Sequence, residues 1–432
     1  MKLYKVRLLA SGFCLLIISC NNSSDTTIKA VPDSTVVKKG TYAYDAEFLK
    51  KHTKGVVELS NAEGNSKVLL SADYQGRVMT STATGDSGAS YGWLKYDLIA
   101  STEKAKHINP VGGEERFWMG PEGGQYSIYF NAKDSFVFDK WQVPAVIDTD
   151  SYEVAQSDKS QAVFTKKATI KNYSGTQFDL EIERKISLLD KPQLEAKLNA
   201  TVPAGIQFVG YETDNKIKNA GAADWSKDKG LLSIWLLGMF TPSPKTTVII
   251  PFHPSPSGNL SEEETRTIAL SSTLHTGRIF ITSDYFGTVP PERLQIKDSV
   301  LYFTCDGKYR SKIGLSPVIA KPIAGSFDFE KNILTIVIPQ VDKNASYVNS
   351  KWEIQKQPYK GDVINSYNDG PLADGSQMGP FYEIESSSPA LQLKKGETGI
   401  YKQTTCHFEG DYNSLKQLAQ HLLGVNLDEI KK

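Results

Sequence analysis

Cysteine, histidine and unbalanced charge are all scarce in this chain, and each scarcity closes off a class of function. Only four of its 432 residues are cysteine and six histidine, and their spacing fits no zinc site. Lysine and arginine total 49, as do aspartate and glutamate. A balanced chain has no field with which to gather nucleic acid or to coat an anionic membrane surface, so no nucleic-acid partner is expected. Neither a Walker loop nor a strand-to-helix GxGxxG element occurs, which argues against a nucleotide partner or cofactor. Beyond residue 18 no apolar run reaches the length of a bilayer span.

What the chain does have begins at its first residues. Lys2, Lys5 and Arg7 precede an apolar run, Leu8 to Ile18, which is short for a membrane span and suits a secretory signal. It closes on Ile17-Ile18-Ser19-Cys20, which looks like a lipobox with Cys20 as the residue to be lipidated. Residues 1–20 are therefore expected to be a lipoprotein signal peptide, residues 21–42 a polar tether, and residues 43–432 a single domain. The expected location is the cell envelope, periplasmic or outer-membrane, with the membrane a partner through the lipid on Cys20. Cys14 lies in the signal, leaving Cys305 and Cys406 in the domain. A disulfide and two buried free thiols both fit their strand-like surroundings.

Within the domain the dominant period is two. Phe178, Leu180, Ile182, Ile186 and Leu188 alternate with Asp179, Glu181, Glu183, Lys185 and Ser187, the pattern of a strand with one wet face. Leu189 to Pro192 reads as a turn, and Leu194, Ala196, Leu198, Ala200 and Val202 as the returning arm of a long hairpin. Further strands are expected at Lys67–Ala72, Tyr126–Phe130, Val300–Cys305, Ile333–Ile338 and Tyr382–Glu385. An apolar stripe of Leu415, Leu418, Ala419, Leu422 and Leu423, closed by Gly424, predicts a short C-terminal helix over 412–424. Another helix is expected over Tyr44–His52, both covering sheet edges. The fold class is all-β and mostly antiparallel.

Three segments, in order along the chain, resemble the galactose mutarotase (aldose 1-epimerase) family. Asp73-Tyr74-Gln75-Gly76-Arg77-Val78-Met79 resembles its early Gly-Arg strand. His107 to Gly124, HINPVGGEERFWMGPEGG, resembles the glycine-rich stretch lining its sugar cleft. Tyr382-Glu383-Ile384-Glu385-Ser386, Pro389 and Leu393 to Glu397 look like its last block, in which a strand glutamate precedes proline and an L-x-x-G-E turn. The chain also resembles a family of bacterial lipoproteins with that fold. The resemblance implies a galactose mutarotase-like β-supersandwich whose concave face binds a mono- or oligosaccharide. It further implies that Glu385, or Glu383 beside it, takes the proton of the anomeric hydroxyl, and that a histidine, here His107, protonates the ring oxygen. No cofactor is implied. The chain departs from the family in lacking its pair of spaced histidines.

The residue types support the same region independently. Glu383 and Glu385 share one strand face, their Cα atoms about 7 Å apart, where one can raise the other's pKa or both can ligate a hard cation such as calcium. Glycines between 112 and 124 permit close backbone approach. Trp118 offers a flat face to a sugar ring, and Arg116 and Glu122 offer directed hydrogen bonds. Arg77, Asp214, Asn215, Arg310 and Lys312 are further candidate substrate contacts, the last two spaced with Lys308 to share one strand face. Three functions fit these residues. The first is an aldose 1-epimerase-like isomerase, and the second a non-catalytic carbohydrate-binding protein of polysaccharide utilisation. The third is a polysaccharide lyase or glycoside hydrolase, for which two carboxylates on one strand are poorly placed to flank a glycosidic bond.

Overall fold

A computed structural model describes residues 37–101, 103–253 and 280–431; the expected signal peptide, Cys20 and most of the tether lie outside the described residues. The period-two patterns become three sheets whose strand pairs are antiparallel. The largest has ten strands in the spatial order Leu294–Lys297, Val300–Thr304, Thr246–Pro251, Ala324–Asp328, Ile333–Pro339, Thr398–Glu409, Gln207–Asn219, Gln177–Leu188, Gln161–Lys171, Glu153–Ser157. A six-stranded sheet follows the order Ile281–Thr282, Ser311–Leu315, Ile364–Asn368, Tyr382–Ser387, Ser233–Phe240, Arg116–Gly120. Val56–Ser60, Lys67–Ser71 and Arg77–Thr82 form the third.

The expected hairpin after Leu188 is not formed. Asp190 caps a helix, Lys191–Leu198, accepting from the Gln193 backbone nitrogen while the Gln193 side chain bonds back. Pro192 sits in the first turn and Asn199 ends the helix in the left-handed region. Leu194 and Leu198, read as alternate strand positions, are also four apart, and both bury one helical face. A capping box with proline in the first turn outweighs an alternation resting largely on alanines. Gln177–Leu188 pairs instead with Gln161–Lys171 on one side and Gln207–Asn219 on the other. Tyr126–Phe130 is likewise no strand; it is irregular chain, tied by the Tyr129 hydroxyl to the Met119 carbonyl at 2.8 Å.

The first helix spans Tyr42–His52 and the last Tyr412–Leu423, with Asp411 accepting from Ser414 and Gly424 at φ 72° behind it. The last helix does not cover an edge. Leu415, Leu418, Ala419 and Leu423 pack on Ile249, Phe327, Leu334, Ile336, Cys406 and Phe408, on the face of the ten-stranded sheet. Cys305 and Cys406 are both free and buried.

The opposite face of that sheet meets the six-stranded sheet through Val248, Ile250, Phe303, Ala324 and Val337 against Ile313, Ile364, Tyr382 and Ile384. The Tyr382 hydroxyl and Ser326 Oγ meet across the gap at 2.8 Å. Elsewhere in the interior stands a fully buried ion pair, Arg184 to Glu115 at 2.8 Å. Arg184 also donates to Asn215 at 2.9 Å, and Glu115 accepts from Thr213 and Gln403 at 3.2 and 3.0 Å. A buried charge is tolerable when paired to this extent, with Arg184 Nη1 alone in the pair left without a partner. Arg184→Met alone should cost about 3–5 kcal/mol in urea unfolding by stranding Glu115, and the double variant Glu115→Gln/Arg184→Met should recover most of that loss.

Candidate functional site

The Tyr382–Ser387 strand lies inside the six-stranded sheet and is buried on both faces. Alternation sends Tyr382 and Ile384 into the gap between sheets and Glu383 and Glu385 to the opposite face. Register then sets their neighbours. Lys312 lies opposite Tyr367, which lies opposite Glu383. Glu385 lies opposite Leu237, which lies opposite Arg116. The ion pairs run diagonally across these rows. Lys312 Nζ reaches Glu385 Oε2 at 2.8 Å, and Arg116 pairs with Glu383. Gly314 leaves space beside Asn365; a Cβ there would come within 2.1 Å of Asp362 Oδ2.

Aromatic rings enclose the centre. Trp235 donates its indole proton to Glu385 Oε2 at 3.0 Å, while Lys312 Nζ lies 4.9 Å from the Trp235 ring centre and 5.5 Å from that of Tyr285. Arg116 covers the Trp118 ring at 4.8 Å, and Trp118 meets Trp235 edge-on. Glu385 Oε1 is buried and receives no N–H or hydroxyl donor, and the neighbouring Glu383 carboxyl hydrogen-bonds Glu385 when protonated.

Burial sets the protonation states. It drives Glu383 up to about 8, with Arg116 opposing and the Glu385 charge adding to the rise. Glu122 is pushed up to about 7, again first by burial, with Lys312 opposing it, Glu385 reinforcing it, and the Trp352 and Trp141 indoles offsetting part. Burial pulls Lys312 down, but the carboxylates of Glu385, Glu122 and Glu383 together prevail and hold it above the ordinary lysine range. The centre therefore combines protonatable carboxyls with a cation held beside Glu385. Among the described residues no group of three or more His, Cys, Asp or Glu side chains could hold a metal.

The other sequence candidates are distributed as follows. Arg77 is buried and holds the glycine turn, donating to the Gly112 carbonyl at 2.7 Å and to Gln75 at 2.8 Å. Gly113 has φ 113°, and a Cβ there would come within 2.4 Å of Arg77 Cδ. His107 bonds the Trp141 carbonyl at 2.6 Å and packs on Phe138 rather than on either glutamate. Asp214 pairs with Lys402 at 3.1 Å, whereas Asn215 belongs to the Arg184 network, so neither joins Glu383 and Glu385. Lys308, Arg310 and Lys312 do not share a strand face: the strand begins at Ser311, Lys308 is exposed, and Arg310 donates to the Tyr367 hydroxyl at 3.2 Å. The Gly88-Ala89-Ser90-Tyr91-Gly92 segment has G-x-S-x-G spacing, yet Ser90 is taken up by Asp45 and Thr80, and His407 bonds Glu114 and Thr335. No nucleophile–base pair forms there.

Sequence reasoning missed Trp141, Trp235, Trp352, Tyr285 and Asp362. With Trp118, three of these place four of the chain's six tryptophans around one centre. Tryptophan's scarcity was the available signal, but only the fold shows that residues so far apart in sequence converge.

Fold and site together define an antiparallel β-sandwich protein with a buried carboxyl–ammonium centre walled by aromatic rings. Residues 40–432 match a family of unknown function, DUF6786, and the chain belongs to it. No curated protein matches the chain. Solved structures similar to it include galactose mutarotase-like and aldose 1-epimerase-like proteins. They include a putative aldose 1-epimerase from Escherichia coli K12, with TM-score 0.43, 10% identity, and coverage of 82% of this chain and 99% of that one. A galactose mutarotase-like protein from Lactobacillus casei gives the same four values. A putative mutarotase from Salmonella typhimurium has TM-score 0.43 and 10% identity, covering 79% and 87%. At these values the likeness is one of overall trace.

The raised carboxyl of Glu383 has a direct stability consequence. Its folded pKa of about 8 lies above the ordinary glutamate value of 4.5, so the native state binds the extra proton between those values. Stability from this group is complete below that window and lost as pH rises through it. In urea melts from pH 5 to 9, Glu383→Gln should flatten the wild-type decline by up to about 1.4 kcal/mol per pH unit.

Proposed function

We propose that this protein interconverts sugar anomers by general acid–base catalysis, with Glu385 as base and Glu122 as acid. The observation that carries the reading is Glu385 itself. Its Oε2 is fixed by Lys312 and Trp235, while its Oε1 is buried and receives no N–H or hydroxyl donor, which leaves Glu385 only the neighbouring Glu383 carboxyl as a further partner. A lone acceptor oxygen on an oriented carboxylate suits a proton from an anomeric hydroxyl. Glu122, held near neutrality at about 7, is poised to protonate the ring oxygen. As the O1–H proton passes to Glu385, the C1=O bond forms, the C1–ring-oxygen bond breaks and the ring oxygen takes the Glu122 proton. Rotation about C1–C2 and reversal of these transfers give the other anomer and restore both carboxyls. Lys312 stabilises the charge of Glu385, and the tryptophans supply faces for the sugar ring. The acid role expected of His107 passes to Glu122 because His107 is engaged with Trp141 and Phe138.

That lack of a histidine beside Glu383 and Glu385 also favours a second reading, carbohydrate binding without turnover. Proton NMR of freshly dissolved α-anomers of several aldoses and uronic acids separates the two. Faster equilibration by the wild type, reduced about 10²–10⁴-fold in Glu385→Gln, supports catalysis. Sugar line-broadening without faster equilibration supports binding alone, and no response to any sugar overturns both.

We place the protein in the cell envelope, lipid-anchored through Cys20, because a basic start, an apolar run and a lipobox-like Ile17-Ile18-Ser19-Cys20 occur in sequence. Metabolic labelling with tritiated palmitate should mark the wild type and leave Cys20→Ser unmarked; equal labelling of both would remove the anchor.

A further inference from the structure

Exposed aromatic rings are rare on this protein, and their positions are not scattered. Among the described residues the exposed ones are Phe138, Phe286 and Tyr309, at 56, 46 and 42%. Two of them lead by ring contacts into the carboxyl centre from different elements. Phe138 stacks on Trp141 at 5.9 Å, and Trp141 stacks on Trp352 at 5.8 Å. These are the two indoles beside Glu122. Phe286 meets Tyr367 edge-on at 5.8 Å, and Tyr367 lies across the sheet from both Lys312 and Glu383. The Arg310 guanidinium lies 3.9 Å from the Phe286 ring centre, and Tyr309 precedes it in the chain. Tyr309 itself packs on Arg293; single exposed apolar residues need no explanation, but two exposed rings that lead into one site do.

A site for a free monosaccharide has no use for rings outside its pocket. A glycan does, because the apolar C–H faces of successive sugar units stack on flat aromatic surfaces. We infer that the ligand of this site is an oligosaccharide or polysaccharide whose reducing-end unit, with its free anomeric hydroxyl, lies at Glu385 while the units before it extend over Phe138 and Phe286. This inference rests on the carbohydrate reading of the centre and names its substrate class.

The test is affinity electrophoresis of the full chain in gels containing partially hydrolysed β-glucan, xylan, galactan or polygalacturonate, whose shortened chains carry many reducing ends, run beside the monosaccharide NMR assay. At least one glycan should retard the wild type. Phe138→Ala and Phe286→Ala should each weaken that retardation about tenfold. Ile400→Ala, equally exposed at 53% but on the Thr398–Glu409 strand of the other sheet, should match the wild type. Circular dichroism confirms that the variants fold. Retardation that both phenylalanine variants retain overturns the inference, as does no retardation by any glycan. If monosaccharides still equilibrate faster, only the glycan assignment falls and Glu385 keeps its role. If they do not, the carbohydrate reading falls with it.

Discussion

The molecule turns on one strand that is buried on both faces. Tyr382–Ser387 has no solvent side, so its period of two must satisfy an apolar gap and a polar face at once. Tyr382 and Ile384 meet the first demand within the intersheet core. Glu383 and Glu385 meet the second only because two long cations reach them across an intervening strand, Arg116 from one side and Lys312 from the other. Removing carboxylates from water is costly, and diagonal pairing within an aromatic wall is how the fold offsets that cost. The raised protonation of Glu383 and Glu122 is the residue of the same desolvation.

A comparison inside the molecule separates structural from chemical carboxylates. Glu115 is as deeply buried as Glu385, and it too faces a cation. Both Glu115 oxygens are engaged, by Arg184 on one and by Thr213 and Gln403 on the other. Such closure leaves nothing for a ligand to do. Glu385 has the same burial with one oxygen free. Glu114 Oε2 is likewise buried without a partner, so what sets Glu385 apart is its company of Lys312, Trp235 and the raised carboxyls of Glu383 and Glu122.

Much of the sheet architecture was legible in sequence. The runs at Lys67, Val300, Ile333 and Tyr382 are strands, and the terminal apolar stripe is a helix capped by Asp411 and closed by Gly424. The miss at Leu194–Val202 has a local cause, since leucines spaced by four satisfy period two and a helical face equally well and the Asp190–Gln193 cap decides between them. Within the site, the pairing of Glu383 and Glu385 on one face followed from alternation alone. The scatter of Asp214, Asn215 and Lys308 away from it did not, because composition and spacing place a residue on a face without saying which layer that face meets.

The sequence by itself determined the antiparallel β class, the capped C-terminal helix, the balanced charge, and the common face of two late glutamates. These depend on backbone periods and local hydrogen bonds, which act over a few residues. Only the tertiary structure decided that Arg116 would answer Glu383 and Lys312 would answer Glu385. It alone gathered Trp118, Trp141, Trp235 and Trp352 around them and turned His107 to Trp141. Those outcomes depend on strand order and register between segments hundreds of positions apart, and on burial, which no local pattern encodes.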